Sequence, residues 1–291
     1  MNTRPRQPRA NPVFPALVLT LAFQAAAAGA AQPAAAPPAP PAAVKPDANP
    51  LAFADGAIVF DVDWRLRAER RENDRDFNEN ADGLQDTEAL LSRLRLGLAL
   101  TPLPWFKLHV QGQDARETWS GRGREPNVNS AQGNAEFDLR QGFVELADYA
   151  QCPFGLSLGR QLFRYGDGRL IADSRWGNFG RSFDGAKLRY RRDRWWAEAF
   201  RASVVTIERG SFDERKDDES VTGLYLSSGH LAEHVLDLYG FHLDSDSGST
   251  EGRYSTLGTR VASKRPGEDP WDYAAELAVQ FGSRASAGRD L

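Results

Sequence analysis

Residues 57–69 read AIVFDVDWRLRAE and residues 89–100 read ALLSRLRLGLAL, and these two stretches decide the fold. In the first stretch Trp64 lies between Asp63 and Arg65, and large apolar residues alternate with charged ones throughout. Successive side chains of a strand point to opposite faces of a sheet, so this period of two predicts strands with one apolar and one charged face. A soluble sheet usually carries a mixture of Thr, Ser, Lys and Glu on its polar face. Large apolar residues opposite arginines favour a membrane barrel with a charged lumen.

The first fifty residues differ from the rest of the chain. Basic residues precede an apolar, Ala-rich segment over 13–28, and small residues follow, which predicts a secretory signal peptide over residues 1–31. A membrane anchor is the alternative, but the strongly apolar part over 13–23 is about half of the roughly 20 residues that a spanning helix needs. Residues 32–50 are rich in Pro and Ala and predict an extended tether. The barrel domain is expected over residues 51–291.

Eleven strand-like segments follow the tether, and their connections alternate between long and short. Long polar connections include residues 70–87, 121–134 and 166–182, whereas residues 101–104 and 192–194 are tight turns. This alternation predicts an all-β, antiparallel up-and-down transmembrane β-barrel with its long loops outside the cell and its short turns in the periplasm. Bacterial single-chain barrels have even strand numbers, so eleven strands predict a barrel that is truncated at its C-terminus.

Composition argues against several other classes of protein. The formal net charge is −4, and it becomes more negative without the basic N-terminal residues, which argues against binding nucleic acid. The single cysteine, Cys152, excludes an internal disulfide and has no predicted role. The four histidines lack metal-ligand spacing, and no nucleotide-binding or hydrolase motif is present. We therefore expect no enzyme activity, no metal and no cofactor.

Three stretches carry a resemblance to a known family. They read DLRQGFVEL at 138–146, LGRQL at 158–162 with YGDGRLI at 165–171, and WGN at 176–178 with RSFDGA at 181–186. Their order and spacing resemble the alginate-export family of outer-membrane β-barrel porins. The resemblance implies an eighteen-stranded barrel, of which about eleven strands are present. It also implies an electropositive lumen that passes anionic polysaccharide or smaller organic acids.

Basic residues on the charged face are the candidate pore lining. A guanidinium stays charged and can hold a carboxylate by two parallel hydrogen bonds, and anion pores select through rings of Arg and Lys. The predicted lining residues are Arg65, Arg67, Arg93, Arg95, Lys107, Arg140, Arg160, Asp167, Arg169, Arg181, Asp184, Lys187 and Arg189. Further candidates by parity are His109, Arg260, Asp61, Asp63, Glu145 and Glu276, whose mixed signs would let a polyanion leave again. The alternative is that these charges only pair across neighbouring strands.

Two features of the charged face stay open. Strict parity from Leu158 would point Arg160 at lipid, where an arginine at mid-depth costs roughly 2 to 4 kcal/mol. Either a bulge near Gly159 turns Arg160 inward or the residue lies at the interface, and the family resemblance favours the inward position. The loop over residues 166–184 either folds into the pore mouth as a constriction or is a solvated external loop with weak local salt bridges.

The sequence thus predicts an exported outer-membrane channel for alginate or a similar uronate polysaccharide. One alternative is a porin for small organic or aromatic acids, and another is a secreted soluble all-β polysaccharide lyase or carbohydrate-binding protein. Expected partners are outer-membrane lipid, the anionic solute and periplasmic export components. A barrel places one set of apolar residues on its exterior, whereas a soluble sandwich buries the same set: Ile58, Phe60, Val62, Trp64, Leu94, Leu96, Leu98, Tyr273, Leu277 and Phe281.

Overall fold

The computed structural model describes residues 13–25, 49–71, 87–118, 137–208, 211–231, 233–246, 251–263 and 271–284. These residues form strands β1 Val13–Ala25, β2 Ala52–Phe53, β3 Ile58–Arg71, β4 Thr87–Leu103, β5 Phe106–Thr118, β6 Phe137–Ala147, β7 Phe154–Gln161, β8 Phe183–Arg192, β9 Trp195–Thr206, β10 Glu214–Arg215, β11 Glu219–Ser228, β12 His234–Ser245, β13 Gly252–Ser263 and β14 Trp271–Arg284. Within the described ranges no helix is long and apolar enough to cross a membrane.

The strands form one antiparallel meander. From β3 to β14 each long strand pairs with the next one along the chain, the two-residue β10 pairs with β9, and β2 and β1 lie at the two ends of the sheet. The predicted all-β, up-and-down antiparallel fold is therefore confirmed, and the eleven long strands match the eleven predicted segments. Among the described strands no pairing joins β3 to β1, so the sheet is not closed. The total of eighteen strands stays a prediction.

Short and long connections lie at opposite ends of the sheet. Tight connections join β4 to β5, β6 to β7 and β8 to β9, and we call this side the turn end. The long connections lie at the other side, the loop end. This arrangement follows from antiparallel pairing, because consecutive connections of a meander alternate between the two ends.

The apolar segment of the predicted signal peptide lies along the edge of the sheet. β1 pairs with β14, from Leu17 opposite Val279 to Ala25 opposite Trp271. The free edge of β14 presents unpaired backbone groups, and an extended apolar segment can satisfy them. The signal peptide over residues 1–31, the tether over 32–50 and the domain over 51–291 stay predictions.

The two faces of the sheet have opposite character. On the outer face Val62, Trp64 and Leu224 have 58%, 70% and 59% of their surface exposed, whereas Arg93 and Arg95 on the other face are buried. No second described layer covers the outer apolar residues. The exterior band that distinguishes a barrel from a soluble sandwich is therefore present, and the buried aromatic residues lie on the inner face.

The sequence predicts that the strand starting at Phe154 continues to Tyr165, but β7 ends at Gln161 because the chain there leaves the sheet. Residues 162–182, which we call the inner loop, cross the inner face. Arg169 reaches Glu276 of β14 at 3.7 Å, and the carbonyl of Arg175 accepts a hydrogen bond from Arg65 of β3 at 3.3 Å. Six residues span at most about 22 Å, whereas ten strand spacings in a flat sheet cover about 48 Å. The sheet therefore curves around the inner loop.

Candidate pore-lining site

The inner loop folds against the wall of the sheet instead of standing above the loop end. Asn178 is 1% exposed, and its amide donates to the backbone carbonyls of Ser92 and Arg116 at 3.1 and 3.3 Å. The Ser182 hydroxyl donates to the carbonyl of Arg140 at 2.7 Å. Of the two arrangements that the sequence leaves open, the structure shows the inward one.

Arginines from β3, β4 and β6 face the second half of this loop. Arg65 donates to the carbonyl oxygens of Arg175, Trp176 and Gly177 at 3.3, 3.2 and 3.1 Å. Beside it, Arg67 donates to the same Trp176 oxygen at 2.8 Å, and its guanidinium lies 4.6 Å from the centre of the indole ring. The predicted lining residues of β3 therefore bind the protein's own backbone.

The neighbouring strands add three more guanidiniums. Arg95 and Arg140 both donate to the carbonyl of Phe179, at 3.3 and 3.0 Å, and Arg93 forms an ion pair with Asp63 at 2.8 Å. Each of these three arginines is less than 9% exposed. We call the four residues that share this surface the arginine cluster: Arg65, Arg93, Arg95 and Arg140.

The first half of the inner loop packs on aromatic rings. We call these buried rings the aromatic cluster: Phe163, Tyr165, Phe183, Phe200, Tyr225, Tyr239 and Phe241. Within it Phe163 stacks on Phe200 with a centroid distance of 4.8 Å, and Tyr165 stacks on Tyr225 at 4.7 Å. Buried aromatic pairs at such distances contribute both apolar area and ring-ring attraction. The Tyr165 hydroxyl also donates to Glu198 at 2.8 Å.

Ion pairs bind the start of the loop to the last described strands. Asp167 accepts from Arg260 at 2.5 Å, and Arg260 also reaches the buried Asp237 at 3.0 Å. Arg169 lies 3.7 Å from Glu276. The predicted site residues Asp167 and Arg169 therefore act within the loop-wall contact.

Asp173 organises the middle of the loop. It lies 3.2 Å from both Arg164 and Arg175, and its carbonyl accepts from the amide of Arg181 at 2.9 Å. Burial opposes ionisation of Asp173, but the hydrogen bonds from Arg175 and Arg164 outweigh it and lower the pKa of this carboxyl. Arg181, a predicted lining residue, has an exposed side chain.

The turn-end half of the inner face carries a second basic group. Lys187 and Arg189 lie 3.6 and 3.5 Å from Glu198, and the Arg189 guanidinium lies 4.7 Å from the ring centre of Trp196. A cavity of about 140 Å³ opens here, lined by Gln141, Phe143, Glu145, Tyr149, Ser157, Gln161, Leu162, Lys187 and Arg189. The predicted lining residue Lys107 lies opposite Glu145 in the β5–β6 register, and the His109 ring lies 5.4 Å from that of Phe143.

Arg160 does not turn inward, which corrects the prediction. Its pairing opposite Gly142 and Asp184 is unbroken, so it keeps the parity of the exposed Leu158. Gly159 has a φ of +119° but adds no residue to the strand. At the loop end Arg160 donates to Asp184 at 2.8 and 3.0 Å and to the carbonyls of Leu139 and Asp213 at 3.0 Å each. These acceptors satisfy the hydrogen bonds of the guanidinium at the loop end of the sheet. Asp184 pairs with Arg160 there, so both residues lie at the loop end and not in the pore lining.

Sequence reasoning missed Asn178 and the aromatic cluster. Asn178 sits in the quoted WGN stretch, but its two backbone acceptors belong to distant strands and have no sequence signature. Tyr239 and Phe241 alternate at period two, and this was an available signal. Within the described ranges no group of three or more His, Cys, Asp or Glu side chains is arranged to hold a metal ion.

Comparisons with known proteins identify the family. The family model described as "Alginate export" matches residues 57–290. The chain belongs to the alginate export family. This membership agrees with the resemblance carried by residues 138–186 and makes the protein a channel of the bacterial outer membrane, not an enzyme. No curated protein matches the chain. Among solved structures, the low-pH structure of Pseudomonas putida OprB aligns at 11% identity with a TM-score of 0.31, covering 77% of this chain and 92% of that chain.

Proposed function

We propose that this outer-membrane channel passes anionic solutes, with alginate or a similar uronate polysaccharide as the primary cargo. The observation that carries the proposal is the arginine cluster, whose four guanidiniums lie on the inner face of β3, β4 and β6. Among the described residues, Asp63 is the one carboxylate within ion-pair distance of the cluster. The resulting excess of positive charge attracts a polyanion.

The inner loop supports a selective path. It crosses the inner face between β3 and β14 and so narrows the space through which a solute can move. Positive charge at a narrow point acts on a solute at short range and low dielectric, where electrostatic forces are strongest. We infer that the loop and the arginine cluster together form the constriction.

The predicted export route belongs to the same proposal. A signal peptide over residues 1–31 delivers the chain to the periplasm, and the short connections at the turn end then face the periplasm while the long loops face outward. Outer-membrane lipid contacts the exposed apolar side chains of the outer face. Periplasmic export components would deliver the polymer to the turn end.

Ion selectivity in planar bilayers tests the proposal. The full chain is reconstituted, and the reversal potential is measured across a tenfold gradient of KCl. We expect anion selectivity, which falls clearly in the variant Arg93→Gln/Arg95→Gln because two positive charges leave the lumen. Arg201→Gln is the matched control, since Arg201 shares the outer parity of the exposed Leu224. Cation selectivity in the unaltered chain, or equal selectivity in both variants, contradicts the proposal.

A second candidate cargo is a small organic or aromatic acid. The cavity beside Lys187 and Arg189, at about 140 Å³, is smaller than the several hundred Å³ of most ligand pockets and suits a single small carboxylate. Liposome swelling separates the two cargoes. Entry of galacturonate and benzoate but not of a hexauronate favours the small-acid channel, whereas entry of the hexauronate favours the polysaccharide channel.

A further inference from the structure

The arginine cluster holds the second half of the inner loop through the loop's own backbone carbonyl oxygens, which carry no net charge. Its backbone oxygens at Arg175, Trp176, Gly177 and Phe179 accept from the arginine cluster at 3.0 to 3.5 Å. A carboxylate attracts a guanidinium by its opposite charge and can accept two parallel hydrogen bonds from it, whereas a backbone carbonyl oxygen carries no net charge. The loop carbonyls therefore bind the arginine cluster more weakly than a carboxylate would.

The arginine cluster also has unused donors. The Nε–H groups of Arg65, Arg93 and Arg140 are buried and have no hydrogen-bond acceptor among the described residues. Arg93 and Arg140 are themselves more than nine-tenths buried. A buried donor without an acceptor destabilises the protein, and a carboxylate brings two oxygens with about four acceptor sites. The cluster thus lacks the kind of acceptor that a uronate supplies.

The two halves of the inner loop differ in how they respond to such a competitor. The first half rests on the aromatic cluster and on the ion pair of Asp167 with Arg260. Stacked rings offer nothing for which a carboxylate can compete. An anion at the arginine cluster would free residues 174–182 and leave the first half in place.

We propose that the arginine cluster is a carboxylate-binding site that the loop's own carbonyls occupy, and that uronate binding exchanges them and releases residues 174–182 from the wall. This inference rests on the proposed function, since it assigns the anionic cargo a second role in opening its own path. The ligand class is an oligomer of uronic acids, in which several carboxylates act on neighbouring guanidiniums. By linkage, the loop and the ligand weaken each other's binding.

Trypsin cleavage after Arg175 reports the position of the loop. The carbonyl of this scissile bond accepts from Arg65 and Arg93, so the docked loop withholds it from a protease. With the full chain in detergent, we expect hexagalacturonate to accelerate this cleavage about tenfold, in proportion to the released population. Maltohexaose and a salt of equal ionic strength should have no effect. Cleavage after the exposed Arg192, at the tight turn between β8 and β9, is the internal control and should not change.

Two variants separate release from unfolding. Asn178→Ala removes the contacts with Ser92 and Arg116, and it removes the side-chain oxygen that accepts from Arg65 at 3.4 Å, but every guanidinium stays. We therefore expect faster cleavage without ligand and tighter hexagalacturonate binding by calorimetry. Arg93→Gln should also speed cleavage without ligand, but it should weaken binding. Heat-modifiable migration in gels verifies that each variant forms a folded barrel. If Arg93→Gln does not fold, Asn178→Ala alone still tests whether release of the loop tightens hexagalacturonate binding.

The outcomes distinguish this inference from the proposed function. If the chain conducts anions selectively but hexagalacturonate leaves cleavage after Arg175 unchanged or slower, the carbonyl-exchange site is wrong and the channel function stands. If hexagalacturonate releases the loop but the bilayer shows no anion selectivity, the proposed function is wrong and the binding site stands. Tighter binding in Asn178→Ala together with weaker binding in Arg93→Gln supports the exchange.

Discussion

The inner face of the sheet has two regions of different chemistry, and the inner loop binds both. Along β3 to β6 the wall presents the arginine cluster to backbone carbonyls of the loop. Along β8 to β12 the wall presents the other rings of the aromatic cluster to the loop residues Phe163 and Tyr165. The first contact is polar and can exchange with water, salt or an anionic ligand. The second buries apolar area, which no solute in the lumen can replace. One loop is thus fixed at its first half and exchangeable at its second.

The largest expected effect comes from the aromatic region. Phe163 is 1% exposed and contacts Phe183 and Phe200 with centroid distances of 5.2 and 4.8 Å. Phe163→Ala should lower the free energy of unfolding by about 3 to 5 kcal/mol, because it removes buried area and leaves a cavity. Urea unfolding in phospholipid vesicles measures this loss.

Phe212→Ala is the matched control for that substitution. Phe212 is 71% exposed, so the same change there should stay within about 0.5 kcal/mol of the unaltered chain. Equal losses in the two variants would show that the aromatic cluster does not fix the loop, and the contrast between the two regions would then fail.

A smaller loss is expected from the arginine region. The Ser182 hydroxyl donates to the carbonyl of Arg140 at 2.7 Å in a buried position. Ser182→Ala should cost about 1 kcal/mol, since it removes one hydrogen bond and leaves a carbonyl without that donor. The exposed Ser211, which donates to Glu208 at 3.0 Å, gives the control Ser211→Ala with little change. A loss at Ser182 above that at Phe163 would reverse the ranking of the two regions.

The sequence predicts the strands well because lipid imposes a strict rule on them. The outward side chains of β3 from Ile58 to Ala68 are all apolar, so the alternation around Trp64 marks both the strand and its faces. β9 and β12 alternate less clearly between apolar and polar residues than β3 does. Their inner positions carry Phe200, Tyr239 and Phe241 beneath the loop, so both faces are apolar and the polar alternation disappears.

The path and the contacts of the inner loop could not be predicted from the sequence. Phe163 and Tyr165 are aromatic residues directly after β7, and aromatic residues favour strands, so the sequence predicts that the strand continues through them although the chain turns inward after Gln161. Their burial depends on rings that lie many residues away. The carbonyls that bind the arginine cluster are present in every peptide unit, so no residue type marks them.

A bulge shows how one local irregularity changes the charged face. β5 pairs Gln111 with Gln141 but Gly112 with Leu139, so Arg140 is an extra residue in β6. Such a bulge places Arg140 and Glu145, which have opposite parity in sequence, on the same inner face. Arg160 shows the reverse case. β7 has no extra residue, so the positive φ of Gly159 alone does not move the Arg160 side chain to the inner face.

The smallest expected effect is a dependence on pH at the edge of the arginine region. The amide of Asp213 donates to Asp138 at 2.6 Å, and Asp213 lies beside Phe179 and Ser182 of the inner loop. Burial, assisted by the nearby carboxylate of Asp138, raises the pKa of Asp213 to about 6. An exposed aspartate has a pKa near 3.9. Asp213 therefore binds a proton more tightly when residues 211–216 are packed beside the inner loop, a state we call docked, than when they are released.

Docking of residues 211–216 should strengthen as the pH falls from about 6 towards 4, and it should be weakest above pH 6, where the carboxyl is ionised in both states. Hydrogen exchange of these amides, corrected for its intrinsic pH dependence, should show several-fold greater protection at pH 5 than at pH 7. Asp213→Asn should abolish the difference. If it persists in that variant, another group controls docking. If amides of residues 163–165 show the same dependence, the aromatic half of the loop is not independent of the arginine half.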